Sequence, residues 1–173
     1  MSSRSRAVSR LLGVFAVADA LLIAAVVLAM AIRSSTPGLD PDREDRVTLY
    51  SIDFREEEKR SPGTGEVVHG YTVLGKVEVT DPGQRRQLIG ALKESLAERD
   101  VMQSKCFFPR HVLRVEQDGR TIDYVICFQC HYYELYVNGS RRNHRLLSIG
   151  GDAAPVFNKP LEVAGGPIVP KEW

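Results

Sequence analysis

The sequence has almost no net charge. Its 173 residues include 23 basic and 22 acidic side chains, which gives a formal charge of +1. Residues 1–33 hold four of the basic and one of the acidic side chains, so the remainder has 19 and 21 and a net charge of −2. Proteins that bind nucleic acid present a concentrated positive charge. We therefore expect no nucleic-acid partner.

The sequence also has no recognisable catalytic motif. It contains no Ser-His-Asp arrangement, no paired catalytic carboxylates and no glycine-rich phosphate loop, and Gly150-Gly151 lacks the strand-to-helix setting that such a loop requires. There is no internal repeat, and 173 residues are too few for two substantial domains once the N-terminus is set aside. These absences favour one small domain that is not an enzyme.

A long apolar run stands near the N-terminus. Residues 11–32 form 22 consecutive positions that are broken by a single charge, Asp19. As a helix this run is about 33 Å long, which is enough to cross the hydrocarbon core of a bilayer. The sequence therefore predicts a transmembrane helix that contacts the lipid bilayer. The alternative is a cleaved signal sequence, because Ala29-Met30-Ala31 resembles a signal-peptidase site.

The charges before this run predict its orientation. Arg4, Arg6 and Arg10 cluster there, and positive charge is retained on the cytoplasmic side of membrane helices. Residues 1–10 are therefore predicted to be cytoplasmic, and the protein to be a single-pass protein of the cell membrane. The polar, proline-bearing residues 33–46 are typical of a linker, here to an extracytoplasmic (periplasmic) domain.

Hydrophobic periodicity predicts that this domain occupies residues 47–150. Apolar residues alternate over residues 47–54 and 67–79, which is typical of strands, and His69 falls on the apolar face of the second strand. Residues 151–173 are rich in glycine and proline, and we expect them to form an extended C-terminal tail laid on the domain.

One amphipathic helix is predicted between these strands and the later ones. Asp81 can cap it, Pro82 suits its first position, and Leu88, Leu92 and Leu96 form an apolar stripe. Such a stripe must pack on a sheet. The fold class expected for the domain is therefore α+β, with one helix packed on an antiparallel sheet of five or six strands.

The clearest hairpin signal is Asp118-Gly119. It stands between two alternating apolar runs, which indicates a two-residue type I′ turn. In the register that this turn sets, Arg114 faces Asp123 as an opposite-charge pair. Continued to the open end of the hairpin, the same register makes Cys106 and Cys130 diagonal neighbours, although they are 24 positions apart.

The open end of this hairpin holds all three cysteines. Cys106 begins the string CFFPRH, which contains His111, and Cys127 and Cys130 stand in the string CFQCH. The combination resembles a signature of uncharacterised exported or membrane-anchored bacterial proteins: Cys-Phe-x-Pro-His/Arg-His and, after a hairpin, Cys-Phe-x-Cys. The resemblance covers residues 88–137. It implies that the cysteines and the histidine act as one unit, and it implies no particular activity.

Two interpretations of this Cys/His cluster are favoured. One is a disulfide from Cys106 to Cys130 or Cys127, which would stabilise the domain by roughly 3 kcal/mol and leave one thiol. The other is a zinc or copper(I) site with three thiolate ligands and one imidazole ligand. Its ligands would be Cys106, His111, Cys127 and Cys130. Strand alternation turns Cys127 away from the other sulfurs, so the metal site requires a bulge or a turn at residues 128–129.

Two further interpretations have less support. Residues 127–131 form a complete C-x-x-C-H motif for covalent haem, but the motif stands between strand-like runs. Thiol–disulfide exchange normally uses a helix N-terminus to activate its nucleophile, and no helix is predicted after Cys130. The sequence therefore favours a binding or interaction module with a structural Cys/His cluster and an unidentified protein partner. The alternative is a metal-binding or redox protein that uses Cys106, His111, Cys127 and Cys130.

Overall fold

The computed structural model describes residues 39, 42–43, 46–55, 63–97, 106–142 and 147–167. The chain divides into two compact units, residues 1–38 and 39–173, and every described residue belongs to the second unit. The predicted cytoplasmic segment and apolar run lie outside the described residues, as does most of the predicted linker.

An antiparallel β-sheet is the frame of this unit. Seven strands lie side by side in the order β2-β3-β1-β4-β5-β6-β7, and a short β8 also pairs with β6. The strands are β1 Arg46–Asp53, β2 Val67–Val68, β3 Tyr71–Glu78, β4 His111–Gln117, β5 Arg120–Cys127, β6 Tyr132–Val137, β7 Ser140–Arg141 and β8 Leu147–Ser148. Within the residues that the structure describes, two helices accompany them: α1 Pro82–Ala97 and α2 Ala154–Val163. The predicted fold of five or six strands with one soluble helix is therefore wrong in both numbers.

Three of the hairpins have two-residue turns. His69-Gly70, Asp118-Gly119 and Asn138-Gly139 have positive φ at both residues, between 49° and 87°. This is the geometry of a type I′ turn, whose twist matches that of the strands it joins. The single strand predicted over residues 67–79 is wrong, because the chain reverses at His69 and pairs β2 with β3.

The short strands explain why the sequence underestimates the sheet. β2, β7 and β8 have two residues each, which is too short for an alternating pattern to be recognised. Both β7 and β8 pair with β6 on the side away from β5, β7 near the end of β6 and β8 near its start. The sheet therefore ends in two short pieces at this edge.

Helix α1 forms as the sequence predicts. The Asp81 carboxylate accepts a hydrogen bond of 2.7 Å from the Gln84 N–H, which caps the helix N-terminus. Leu88, Ile89 and Leu92 are completely buried in one core cluster with side chains of the sheet. The apolar stripe is therefore the surface by which α1 packs.

Helix α2 corrects the prediction of an extended tail over residues 151–173. Pro155 stands in its first turn, where the N–H that proline lacks has no partner within the helix in any case. Phe157 and Leu161 are completely buried in the same core cluster as α1. Much of the predicted tail is therefore an integral part of the core.

The sheet buries apolar side chains on both faces. Leu113 and Tyr124 point to the face that the helices cover, while Val112 and Val125 point to the other face. This alternation follows from the pleat of the strands. The second face carries a smaller apolar cluster: Tyr50, Ile52, Val68, Val73, Val112 and Val125.

The prediction of a single-pass membrane protein is corrected as well. Among the described residues, no helix is long and apolar enough to cross a membrane. Residues 11–32, for which the membrane helix was predicted, lie outside the described residues. The structure supports neither the anchor nor the extracytoplasmic location that depended on it.

Candidate functional site

The hairpin of β4 and β5 positions the Cys/His cluster. Its register runs without a shift from the Asp118-Gly119 turn to the pair His111↔Ile126, which confirms the predicted register over this length. Residues 106–110, which precede β4, and residues 128–131, which follow β5, therefore lie together at the open end of the hairpin.

The three cysteine sulfurs meet at this end. Cys127 and Cys130 form a disulfide, with their Cα atoms 5.2 Å apart. Cys106 Sγ lies 3.4 Å from Cys130 Sγ, so the predicted proximity of these two cysteines is confirmed. The predicted pairing differs, because the bond joins Cys127 to Cys130 and not Cys106 to either of them. We refer to Cys106, Cys127 and Cys130 as the three-sulfur centre.

A turn between β5 and β6 produces this arrangement. The chain reverses over residues 128–131, where the His131 N–H donates to the Phe128 carbonyl oxygen at 3.4 Å and His131 has φ of 58°. Strand alternation thus ends at Cys127, and the reversal brings Cys130 back against it. This is the turn that a convergence of all three sulfurs requires.

Two backbone N–H groups point at the sulfurs. The Phe108 N–H donates to Cys130 Sγ at 3.3 Å, and the Cys130 N–H donates to Cys127 Sγ at 3.1 Å. Both acceptor sulfurs belong to the disulfide, and hydrogen bonds of this kind would favour the thiolates that its reduction or cleavage releases.

Access to the three-sulfur centre runs through Cys106. Cys127 and Cys130 are 2% and 0% exposed, whereas Cys106 is partly exposed. Phe108, two residues from Cys106, is 37% exposed, and its ring lies 4.9 Å from that of Phe54. A reagent from solution therefore meets Cys106 before it meets the disulfide.

A cation lies beside the turn that carries the disulfide. Arg110 Nη1 donates to Gln129 Oε1 at 2.8 Å, and Gln129 separates Phe128 from Cys130 in sequence. The guanidinium carbon of Arg110 also lies 5.6 Å from the centre of the Phe54 ring. Burial lowers the pKa of Arg110.

The predicted fourth metal ligand, His111, belongs to the core. Its Nε2–H donates to Asn158 Oδ1 of α2 at 2.8 Å, and its ring contacts those of Phe128 and Phe157. Burial lowers the pKa of His111 to about 4, an effect that the hydrogen bond to Asn158 only partly offsets. Among the described residues, no group of three or more His, Cys, Asp or Glu side chains is placed to hold a metal in this oxidised form.

Acidification is expected to destabilise the domain through His111. Its pKa is about 6.5 when unfolded and about 4 when folded, so the unfolded chain takes up the proton first. The stabilisation is complete above pH 6.5 and is lost as the pH falls to 4, with a total of about 3 kcal/mol. Urea unfolding across this range should give a steeper pH dependence for the native protein than for His111→Gln. Equal slopes would contradict the prediction, since other titrating groups cancel in the comparison.

The C-x-x-C-H motif is present in its disulfide form, because Cys127 and Cys130 are bonded to one another and buried. Covalent haem attachment would use the two thiols that reduction of this bond releases. The motif lies in a strand-to-strand turn, and the Nδ1–H of His131 donates to the Ile149 carbonyl oxygen at 3.3 Å. The structure therefore gives these residues a local role in closing the turn.

Sequence reasoning found only part of a second polar cluster, which lies on the other face of the sheet. Asp123 accepts hydrogen bonds of 2.8 Å from Nε and Nη2 of Arg114, which confirms the predicted pair. It also accepts a 2.7 Å hydrogen bond from His69 Nε2, and the His69 ring stacks on Tyr136. The signal that could have found this contact is the His69-Gly70 turn, which aims His69 across the sheet.

Comparison with known proteins gives no related protein in which these sites could be traced. The likeness of residues 106–111 and 127–130 to the signature of exported bacterial proteins therefore stays a resemblance. No protein-family model, curated protein or solved structure matches the chain.

Proposed function

We propose that this chain carries out thiol–disulfide exchange at the three-sulfur centre. The observation that carries the proposal is the 3.4 Å separation between the sulfurs of Cys106 and Cys130. A disulfide bond is about 2.05 Å long, so the Cys106 sulfur needs to approach by about 1.4 Å to bond to Cys130. A redox function, which was one alternative from the sequence, is thus supported by a nucleophile, Cys106, beside the disulfide of Cys127 and Cys130.

The exchange itself needs no outside oxidant or reductant. The Cys106 thiol gives its proton to solvent, and the thiolate attacks Cys130 Sγ. The Cys106–Cys130 bond forms as the Cys127–Cys130 bond breaks, and Cys127 leaves as a thiolate that takes up a proton. Because the Cys130 N–H donates to Cys127 Sγ, the leaving thiolate has a hydrogen-bond donor in place.

The exchange brings the disulfide to the surface. In the rearranged form, Cys106 is the more exposed of the two bonded sulfurs. A substrate thiolate attacks Cys106 and releases Cys130, and a second substrate thiolate then displaces Cys106. Two electrons and two protons pass from the substrate dithiol to the protein, which ends with three thiols.

Loop length also favours a reactive role for the observed bond. Cys127 and Cys130 are separated by 3 positions, and closing so short a loop stabilises a fold by about 2 kcal/mol on chain-entropy grounds. Closing the loop from Cys106 to Cys130 would stabilise it by about 3 kcal/mol on the same scale. A purely structural disulfide would gain more by joining the distant pair.

A structural disulfide in an interaction module is the second candidate. The burial of Cys127 and Cys130, 2% and 0% exposed, favours it because buried disulfides are protected from reductants. In that case Cys106 would lie beside the disulfide but take no part in any reaction. The two candidates therefore differ in what the removal of Cys106 does to the disulfide.

Trapping the rearranged bond tests the proposal directly. The Cys127→Ser chain should form a Cys106–Cys130 disulfide under mild oxidation, detected by peptide mass mapping, because these two sulfurs already lie in contact. Cys130→Ser is the matched control, and its remaining two cysteines should pair far more slowly. If Cys106 of the Cys127→Ser chain stays open to alkylation, exchange through Cys106 is excluded.

The reduction rate is the second test. Dithiothreitol should reduce the disulfide of the native chain at least about tenfold faster than that of Cys106→Ser, because an internal thiolate acts at a high effective concentration. Circular dichroism of both chains checks that the fold is retained. Equal rates would favour the structural disulfide.

A further inference from the structure

We infer that the reduced form of the three-sulfur centre binds one copper(I) ion through the thiolates of Cys106, Cys127 and Cys130. This deepens the proposed function, on whose reducible disulfide it rests, but it does not require exchange through Cys106. It also changes the metal site predicted from the sequence, because His111 is not one of the ligands.

The spacing of the sulfurs suits one shared ion. Thiolates bound to one metal ion at about 2.3 Å lie close to 4 Å apart. The sulfurs of Cys106 and Cys130 are 3.4 Å apart, and those of Cys127 and Cys130 are bonded in a turn whose Cα atoms are 5.2 Å apart. Reduction breaks that bond and lets its two sulfurs separate to van der Waals distance. Both measured pairs are then within reach of one ion.

Loading of the site takes two steps, reduction of the disulfide and binding of the ion. A phosphine reductant supplies two electrons to the disulfide. Water supplies two protons to the released sulfurs and one oxygen atom to the phosphine, which becomes a phosphine oxide. The chain then holds three thiols. Copper(I) replaces the three thiol protons, which leave to the buffer, and its oxidation state does not change. Metal binding therefore requires the reduced protein and competes with re-formation of the disulfide.

The surroundings fit a cluster of thiolates with one positive ion. The N–H groups of Phe108 and Cys130 donate to two of the sulfurs, and such hydrogen bonds lower the cost of negative charge. The positive charge of Arg110 is held beside the same turn by its hydrogen bond to Gln129. Burial of Cys127 and Cys130 keeps water from two of the three sulfurs.

The ligand count favours copper(I) over zinc. A closed structural zinc site takes four protein ligands, and the nitrogen ligand predicted for it, His111, is bound to Asn158 between two phenylalanine rings. Zinc on the three thiolates alone would have to take water in its fourth position. Thiolates alone are soft ligands that select copper(I), which is stable with three of them. A three-thiolate site without His111 is therefore expected to prefer copper(I) to zinc.

The test is an anaerobic titration of the phosphine-reduced full chain with copper(I) in the presence of a chromogenic copper(I) chelator. We expect one ion per chain, the release of three protons, and an X-ray absorption spectrum with sulfur and no imidazole in the first shell. Cys106→Ser should lose at least about tenfold in affinity. His111→Gln should bind as the native chain does, and zinc should bind more weakly than copper(I).

Several outcomes would overturn the inference. They are an imidazole in the first shell, a loss of binding in His111→Gln that keeps its circular dichroism, or unchanged binding in Cys106→Ser. The X-ray absorption spectrum needs only the native chain, so it decides even if a variant does not fold. If the reduced chain shows three thiols and binds no copper(I), the metal site is excluded, while the proposed exchange is judged by the Cys127→Ser trap alone.

Discussion

Replacing Asp123 with alanine is expected to destabilise the domain by about 3–5 kcal/mol. The Asp123 carboxylate is 1% exposed, and it accepts hydrogen bonds from Arg114 and His69. Burial opposes its ionisation, but these hydrogen bonds outweigh burial and lower the pKa of Asp123. The alanine variant would leave the Arg114 guanidinium and the His69 ring without this carboxylate in a largely buried place. Urea unfolding at neutral pH measures the loss.

The matched control for this variant is Glu116→Ala. Glu116 pairs with Arg46 at 3.6 Å on the same sheet, but both side chains are substantially exposed, so the expected loss is at most about 1 kcal/mol. A double variant with Arg114→Met should lose less than the sum of the single losses, because the cation that Asp123 neutralises is removed with it. A loss for Asp123→Ala no larger than that of the control would contradict the prediction.

The features that were predicted correctly from the sequence are those that local interactions determine. The Asp118-Gly119 turn sets the register of its hairpin as far as the pair His111↔Ile126, and this brings the segments that carry Cys106 and Cys130 to the same end of the sheet. The Asp81 cap likewise marks the start of α1. Each of these features depends on a few neighbouring residues, so it can be derived from the sequence without knowledge of the fold.

The identity of the disulfide depends on a turn that the sequence disguises. Residues 128–131 contain no glycine, proline or asparagine, and the left-handed residue of the turn is His131. Non-glycine residues adopt this conformation uncommonly, although histidine does so more often than most, so the sequence pattern predicts a continued strand. The His69-Gly70 turn was missed for a different reason: apolar residues alternate on both sides of it, and this predicted one strand in spite of Gly70. The contact from His69 to Asp123 was missed with it.

Helix α2 shows the limit of composition as a guide. Two prolines lie within it and several glycines flank it, which favoured an extended tail, but its Phe157 and Leu161 fill the core. Such a short helix is stabilised mainly by tertiary packing rather than by intrinsic propensity. A pattern within residues 151–173 could not reveal that packing, because the partners lie on α1 and the sheet.

Phe157→Ala is also expected to destabilise the domain strongly, because Phe157 packs α2 onto the core. The expected loss in the free energy of unfolding is about 3–5 kcal/mol. Phe157 is completely buried, and its ring centre lies 5.0 Å from that of Phe128 and 6.0 Å from that of His111. Truncation removes both ring contacts and leaves a cavity between α2 and the hairpin. Urea unfolding of the native and variant chains gives the difference.

The control on the same helix is Val163→Ala, whose side chain is 82% exposed and whose expected change is within about 0.5 kcal/mol. Phe128 also lies between the two bonded cysteines, so the Phe157 ring supports the turn that carries the disulfide. Phe157→Ala should therefore increase the rate at which dithiothreitol reduces that bond, whereas Val163→Ala should not. A loss of stability below about 1 kcal/mol for Phe157→Ala would mean that α2 is peripheral, because truncation of a fully buried phenylalanine costs more than this in a packed core.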